Sequence, residues 1–183
     1  MSIIPSSLFA ETDREPITTG WLERVIFAPW DIKFRAKLDT GAKTSSLHAV
    51  EIKRFKRDDK EWVRFSTTDP EDKSNLKPIE VPLVREVKIK RHKEAAQVRP
   101  VVELTFCLDG HVYTSEFSLI DRSRFNYQVL LGRRMLQQGI IVDPSTTFTT
   151  KINPEKCRKL LQIHENNKVK NLTNKKEKME GKP

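Results

Sequence analysis

The chain of 183 residues has few glycines, few cysteines and no long hydrophobic run. No segment approaches the roughly 20 apolar residues of a membrane-spanning helix, which excludes a helical membrane protein. With six glycines, the sequence contains neither Gly-x-x-x-x-Gly-Lys nor Gly-x-Gly-x-x-Gly, the common nucleotide-binding loops. His-Glu-x-x-His is also absent, and the four histidines show no ligand spacing, which excludes the common type of zinc protease. We therefore expect no metal and no cofactor.

The two cysteines, Cys107 and Cys157, match no metal-binding spacing. Two interpretations remain open. The favoured one is a pair of thiols in a reducing compartment, and the other is a single disulfide, which would favour the periplasm. The first ten residues lack the basic and apolar regions of a signal peptide. We expect a cytoplasmic protein, or a periplasmic one if a leader has been removed.

The net charge of +9 is concentrated near the C-terminus. Residues 151–183 hold ten Lys and Arg against four Asp and Glu, but no Phe, Tyr or Trp that stacks on bases. Nucleic-acid binding therefore rests on charge alone, and we predict neither a specific nucleic-acid partner nor a membrane partner. We interpret 153–183 as a short helix, Pro154 to His164, followed by a basic disordered tail from Glu165.

Short apolar runs separated by polar turns predict an all-β barrel or sandwich. We assign this domain to residues 20–152, after an N-terminal extension over residues 1–19. The predicted strands are Trp21 to Phe27, Phe34 to Leu38, Leu47 to Phe55, Trp62 to Phe65, Ile79 to Ile89, Val101 to Leu108, His111 to Ile120, Gln128 to Leu131, Ile140 to Val142 and Thr146 to Ile152.

Three connections stand out between these strands. Asp109-Gly110 predicts a type I′ hairpin, because both central residues of that turn need positive φ. The composition of Arg133 to Gln138 predicts a short helix that stops at Gly139. Two polar segments, Thr67–Pro78 and Lys90–Arg99, are predicted to be exposed loops, and either is a candidate flap although neither contains glycine.

The tetrapeptide Asp39-Thr40-Gly41-Ala42 directly follows a predicted strand. Gly41 permits backbone conformations closed to other residues, and small Ala42 permits close packing of a symmetry-related loop. The Thr40 hydroxyl can bond across such a pair. Two carboxylates about 3 Å apart share one proton, which suits general acid–base hydrolysis. Since Asp-Thr-Gly occurs once, such a site requires a homodimer.

A second motif, Val129-Leu-Leu-Gly-Arg133, follows about 90 residues later and opens the short helix. The two motifs together resemble the retropepsins, whose second segment packs against the catalytic loop. Further stretches resemble a bacterial family usually labelled ATP-dependent zinc protease and associated with the ATP-grasp ligase that adds glutamates to a ribosomal protein. These stretches are Gly20-Trp21, Ala36-Lys-Leu-Asp-Thr-Gly-Ala-Lys-Thr-Ser-Ser-Leu-His-Ala49, Trp62-Val-Arg-Phe65, Arg99-Pro-Val-Val102, Leu130-Leu-Gly-Arg133 and Val142-Asp-Pro144.

The resemblance implies a retropepsin-like closed barrel with one short helix after Leu-Leu-Gly-Arg. It also implies Asp39 as the catalytic residue and a role in processing glutamate-modified protein. The ATP and zinc of the family label find no motif in this sequence. Two functions follow as hypotheses: a homodimeric aspartic peptidase, which we favour, and a non-catalytic module that binds acidic peptides or protein tails.

An acidic substrate needs positive partners, and Arg binds carboxylates with two hydrogen bonds. Besides the catalytic Asp39, Thr40 and Gly41, the candidate substrate-binding residues are Ala42, Lys43, His48, Arg91 and Arg99. For Arg133 we expect a structural role in locking the junction between the second motif and the catalytic turn.

Overall fold

The computed structural model describes residues 15–28, 30–68, 76–91 and 94–180. Eleven strands and two helices lie in these residues. In chain order they are β1 (Ile17–Gly20), β2 (Leu22–Phe27), β3 (Ile32–Asp39), β4 (Ser45–His48), β5 (Val50–Arg57), β6 (Lys60–Thr68), β7 (Leu76–Arg91), β8 (Glu94–Leu108), β9 (His111–Ile120), β10 (Val129–Gly132), α1 (Arg133–Leu136), β11 (Ile140–Asp143) and α2 (Pro154–Glu180).

Six strands form a closed barrel in the order β2-β3-β10-β4-β9-β8. Pairing of β2 with β8, at Ile26↔Cys107 and Phe27↔Phe106, closes the ring. From β8 the sheet continues outward through β7, β6 and β5, while β1 and β11 form a separate parallel pair. The predicted all-β closed barrel with a short helix after Leu-Leu-Gly-Arg is confirmed.

Alternation along the strands fills the barrel. In β3 the side chains of Ile32, Phe34, Ala36 and Leu38 are buried, and the intervening ones face outward. Aromatic rings from three other strands meet them in the core, where Phe27 lies 5.3 Å from Phe106 and 5.4 Å from Phe117 between ring centroids. Burial of each such side chain contributes about 1.5–3 kcal/mol to folding. The inward face of β3 is therefore held against the core, and this also fixes the direction in which the alternate side chains point outward.

The Asp109-Gly110 hairpin is confirmed. It joins β8 to β9, and its two central residues have φ of 49° and 68°, the left-handed values that a type I′ turn needs. The two candidate flap loops are shorter than predicted. β7 continues to Arg91 and β8 begins at Glu94. The prediction of a ten-residue loop over Lys90–Arg99 is therefore wrong, because Arg91 pairs with Glu94 and residues 97–99 pair with residues 87–89 of β7. Of Thr67–Pro78, residues 69–75 lie outside the described residues.

Three further predictions are corrected. Leu47 to Phe55 is two strands, with Ala49 between them. Thr146 to Ile152 is not a strand, because the backbone amides and the hydroxyls of Thr149 and Thr150 donate hydrogen bonds to the Glu23 carboxylate instead of to a neighbouring strand. Of the predicted N-terminal extension, residues 1–14 lie outside the described residues, and Ile17 to Thr19 belong to β1.

The C-terminal region differs most from its prediction. A single helix, α2, spans Pro154–Glu180, so the prediction of disorder from Glu165 is wrong. Asn153 caps the first turn by accepting a 3.0 Å bond from the Lys156 amide, and Lys- and Glu-rich sequence continues the helix. None of the described helices is apolar enough over sufficient length to cross a membrane.

A disulfide joins Cys107 of β8 to Cys157 of α2. The favoured interpretation of two free thiols is therefore wrong, and the disulfide alternative is the one observed. Both cysteines are fully buried, together with Leu161 of the same helix. The bond and this small cluster hold the first turns of α2 against the barrel.

Candidate active site

Strand β3 delivers Asp39 to the outer face of the barrel. As the last residue of β3, it follows the inward-facing Leu38 and shares the outward face with Lys37. Its side chain is 24% exposed. The turn that follows is open to solvent at Thr40 and Gly41. The carboxylate therefore stands at an accessible edge of a rigid strand.

Strand β10 lies between β3 and β4. It runs parallel to β3, with Gly132 opposite Asp39, and antiparallel to β4. A side chain at Gly132 would bring its Cβ to 2.6 Å from the carbonyl carbon of Thr44. Instead the Gly132 amide donates a 3.1 Å bond to Ser45 Oγ. The glycine of Leu-Leu-Gly-Arg is needed for this close approach of β10 to the turn that follows Asp39.

Helix α1 then fixes the turn from the other side. The amides of Arg133 and Arg134 donate to the carbonyls of Ala42 (2.9 Å) and Lys43 (3.2 Å). The Arg133 guanidinium donates to the carbonyls of Thr40 (2.7 Å) and Gly41 (2.9 Å). The predicted structural role of Arg133 is confirmed: four carbonyls in succession are held by one helix start.

The Asp39 carboxylate has a donor on each oxygen. The Gly41 amide donates to Oδ1 at 3.0 Å, and the Lys37 ammonium lies 3.1 Å from Oδ2. Partial burial alone would raise the pKa of Asp39, but the bonds from Lys37 and Gly41 outweigh it and hold this pKa below its ordinary value. In a single chain Asp39 is therefore an anion.

A buried arginine, Arg122, lies close to Asp39. Its guanidinium donates to Ser46 Oγ (2.8 Å) and to the Tyr127 carbonyl (3.0 Å), and the exposed Phe125 ring covers it at 4.5 Å. Burial lowers the pKa of Arg122, the charge of Arg99 lowers it further, and the charge of Asp39 raises it. Arg122 thus interacts electrostatically with Asp39 and with Arg99.

A polar cleft of about 600 Å³ is lined in part by Asp121, the residue before this arginine. Its walls come from the start of β5, from β8 and from the end of β9. The lining residues are Ala49, Val50, Glu51, Ile52, Arg54, Gln97, Val98, Arg99, Pro100, Leu119, Ile120 and Asp121. The lining thus holds two arginines and two carboxylates. Arg54 is paired with Glu86, and Arg99 donates a 2.9 Å bond to Gln97.

The predicted substrate-binding residues do not all reach this cleft. Arg99 lines it, while Lys43 is exposed on the turn after Asp39, beside the half-buried Ala42. His48 is buried, and its Nδ1 accepts a 2.9 Å bond from the Arg122 amide. Burial lowers the pKa of His48, although Asp121 at 3.6 Å opposes this. His48 is thus a neutral residue inside the barrel wall. The side chain of Arg91 lies outside the described residues.

Sequence reasoning missed Lys37 and Arg122. Lys37 had a signal, since it stands two residues before Asp39 on a strand and so must share its face. Arg122 had none, because its burial depends on a loop that folds back over Ser46 of a distant strand. In the part of the chain that the structure describes, no group of three or more His, Cys, Asp and Glu is placed to hold a metal ion.

Comparison with known proteins agrees with this geometry. A family model described as RimB-like, "Retropepsin-like aspartic endopeptidase RimB", matches residues 18–153. The crystal structure of a Legionella pneumophila protein of unknown function is similar with a TM-score of 0.65 and 36% sequence identity, over 73% of this chain and 98% of that one.

Relatives named probable alpha-L-glutamate ligase match over a shorter stretch. One from Shewanella halifaxensis (strain HAW-EB4) is 33% identical over 115 residues, or 62% of this chain. One from Desulfotalea psychrophila (strain LSv54 / DSM 12343) is 33% identical over 112 residues, or 61% of this chain. These matches cover 25% and 24% of the two relatives, so the chain spans about a quarter of the length of the curated relatives it matches.

Proposed function

Because the chain belongs to the family of retropepsin-like aspartic endopeptidases described as RimB, we propose that it is an aspartic peptidase. It acts as a homodimer in which each chain supplies one Asp39. The observation that carries this proposal is the placement of Asp39. The residue ends a barrel strand on a partly exposed turn whose four carbonyls are held by α1.

A two-fold axis next to the turn supplies the second carboxylate, since the sequence holds Asp-Thr-Gly once. Thr40 and Gly41 are exposed at the tip of the turn, where a second copy can approach. The Thr40 hydroxyl is then free to donate across the axis and orient the facing turn.

The paired carboxylates share one proton, because two charges about 3 Å apart cannot both persist. The ionised Asp39 takes a proton from a water molecule, whose oxygen attacks the scissile carbonyl carbon. The protonated Asp39 of the other chain donates its proton to the carbonyl oxygen, and a neutral tetrahedral diol results. The Asp39 that took the proton from water then gives it to the amide nitrogen, while the other Asp39 takes a proton from one hydroxyl of the diol. The C–N bond breaks, an acid and an amine are released, and the pair returns to its starting protonation state.

The proposed substrate is a protein or peptide that carries added glutamates. Two observations support this choice: matched relatives are named probable alpha-L-glutamate ligase, and the cleft presents Arg54 and Arg99. Arginine pairs with carboxylates through two parallel hydrogen bonds. Lys43 and Arg91 are proposed as further cationic contacts, on the turn and on β7.

A non-catalytic module that binds acidic tails is the second candidate. One observation favours it: both oxygens of Asp39 already have partners in a single chain, Gly41 and Lys37. A chain that stays monomeric would keep this ion pair and use the cleft for binding alone.

The disulfide bears on where this function takes place. The Cys107–Cys157 bond supports the periplasmic alternative over the predicted cytoplasm, since disulfides persist in oxidising compartments. A glutamate-modified ribosomal protein instead requires the cytoplasm. Alkylation of the two cysteines in intact cells, read by mass spectrometry, decides between these locations.

The test compares the wild type with Asp39→Asn for oligomeric state and for cleavage of a glutamate-rich peptide library. We expect a dimer that cleaves, and a loss of at least about 10³-fold in Asp39→Asn, the scale of acid–base catalysis. Asp58→Asn, a substitution in an exposed hairpin turn, is the matched control and should cleave normally. Binding by both proteins without cleavage by either would replace the peptidase with the binding module.

A further inference from the structure

We infer that Lys37 is a positioning residue for the Asp39 carboxylate and that its ammonium sets the pH range over which the site works. This inference deepens the proposed peptidase function and rests on it for its consequence in catalysis. Its physical core, the contact between Lys37 and Asp39, exists in a single chain. It therefore has a test that needs no activity.

The geometry follows from β3 alone. Lys37 and Asp39 are two residues apart on a strand, so both side chains leave the same face of the sheet. The inward neighbours, Ala36 and Leu38, are buried in the core and prevent β3 from rotating. The ammonium lies 3.1 Å from Oδ2, while Oδ1 accepts the Gly41 amide. One carboxylate oxygen is thus held by a backbone amide, and the other by a side chain that a substitution can remove.

Other cations near Asp39 are already engaged elsewhere. The Arg133 guanidinium of α1 donates to the carbonyls of Thr40 and Gly41. Arg122, from the loop after β9, donates hydrogen bonds to Ser46 and Tyr127. It interacts with Asp39 through its charge and not through a hydrogen bond. Of these three, Lys37 is the one in direct contact with the carboxylate.

A cation in this place changes the behaviour of a carboxylate pair. In a bare pair, repulsion between the two anions keeps one proton bound to a relatively high pH. An ammonium beside each carboxylate offsets that repulsion and favours the ionised forms. The state with one shared proton then occurs at lower pH. Loss of Lys37 should move both limbs of the pH–rate profile to higher pH.

The experiment follows the Asp39 carboxyl carbon by NMR in full-length protein labelled at aspartate, with the resonance assigned by its absence in Asp39→Asn. The variants are Lys37→Met, Lys37→Arg and Lys33→Met. The last removes the same charge from the same outward face of β3, about 20 Å from Asp39 and beyond the screening length of about 8 Å.

We expect Lys37→Met to titrate at higher pH, with an about two- to five-fold larger ratio of protonated to ionised carboxyl near the midpoint, as for a partly exposed ion pair. Lys37→Arg should restore the wild-type curve, and Lys33→Met should not change it. An unchanged curve in Lys37→Met, or an equal change in Lys33→Met, would overturn the inference.

The pH dependence of kcat/KM is then measured on the same proteins, and a shift of both limbs in Lys37→Met alone supports the role in catalysis. A wild type that titrates as expected but cleaves nothing would reject the peptidase and retain the Lys37 contact. A wild type that cleaves, with identical profiles in all variants, would reject the role of Lys37 and retain the peptidase.

Discussion

Two carboxylates on neighbouring strands of this barrel, Glu23 of β2 and Asp39 of β3, have lowered pKa values that come from different sets of donors. Glu23 on β2 is completely buried and accepts five hydrogen bonds, from the Gly20 amide and from the amides and hydroxyls of Thr149 and Thr150, at 2.7–3.2 Å. Burial would raise the pKa of Glu23, but these bonds outweigh it. Asp39 is partly exposed and relies on one backbone amide and one ammonium for its closest contacts.

The two carboxylates differ in the hydrogen-bond donors that surround them and in how much of each remains accessible. Three backbone amides and two threonine hydroxyls, all neutral, saturate both oxygens of Glu23, so no lone pair remains for a water or a substrate. Asp39 has an accessible oxygen whose partner, Lys37, is a flexible side chain. A lowered pKa alone therefore does not distinguish the two carboxylates, whereas the exposure of Asp39 and its flexible partner do.

The largest expected difference between the two is in stability. Glu23→Ala should destabilise the fold by about 3–5 kcal/mol, because five donors lose their acceptor inside the protein. Asp39→Ala should cost less than about 1 kcal/mol, since its contacts are partly exposed. Urea unfolding measures both, with exposed Glu61→Ala as the control. Equal losses for Glu23 and Asp39 would contradict the distinction.

Weakening the contacts that hold the turn after Asp39 should reduce the free energy of unfolding by less. Arg133→Met removes the two guanidinium bonds to the carbonyls of Thr40 and Gly41 and should cost about 1 kcal/mol. Arg134→Met is the matched control, since its guanidinium makes a longer contact, 3.8 Å, with Glu116. Hydrogen exchange at the amides of residues 40–43 should accelerate in the first variant and not in the second. No acceleration would show that the backbone bonds from α1 suffice.

The smallest effect is the pH dependence of stability. The folded pKa of Glu23 is below its ordinary value of 4.5, so the ionised carboxylate contributes its full stabilisation above that value. The contribution is lost as the pH falls through the lowered folded pKa. The difference in unfolding free energy between wild type and Glu23→Gln should therefore shrink from pH 7 to pH 3. A constant difference over that range would mean that folding does not change the pKa of Glu23, and would contradict the lowered folded pKa.

Local patterns predicted much of the site. Alternation around Leu38 placed β3 and its turn, and the Leu-Leu-Gly-Arg motif placed β10 and α1 next to it. The structure confirms the role of Arg133 that followed from this pair of motifs. These features are readable because each depends on residues close in sequence or on a motif with known packing.

Apart from Lys37, whose contact with Asp39 is local, the missed features depend on partners that are distant in sequence. The segment around Thr149 and Thr150 has the composition of a strand, but the amides of these two residues donate to the Glu23 carboxylate and not to a neighbouring strand. Residues beyond Glu165 have a disordered composition, yet they continue a helix whose first turns are anchored at Cys157. In both cases a contact more than 40 residues away in sequence decides the outcome, and local propensity does not contain it.

The position of β10 has a consequence for the order in which the protein is assembled. β3 and β4 are joined by a few residues, but β10 inserts between them from about 90 residues further along the chain, and pairs that are so distant in sequence form slowly. A nascent chain that has not yet reached Arg133 lacks the helix that holds the Asp39 turn. The Asp39 carboxylate therefore acquires its final geometry only after nearly three quarters of the chain has been synthesised. A product truncated before Arg133 carries Asp39 on a turn that α1 does not hold.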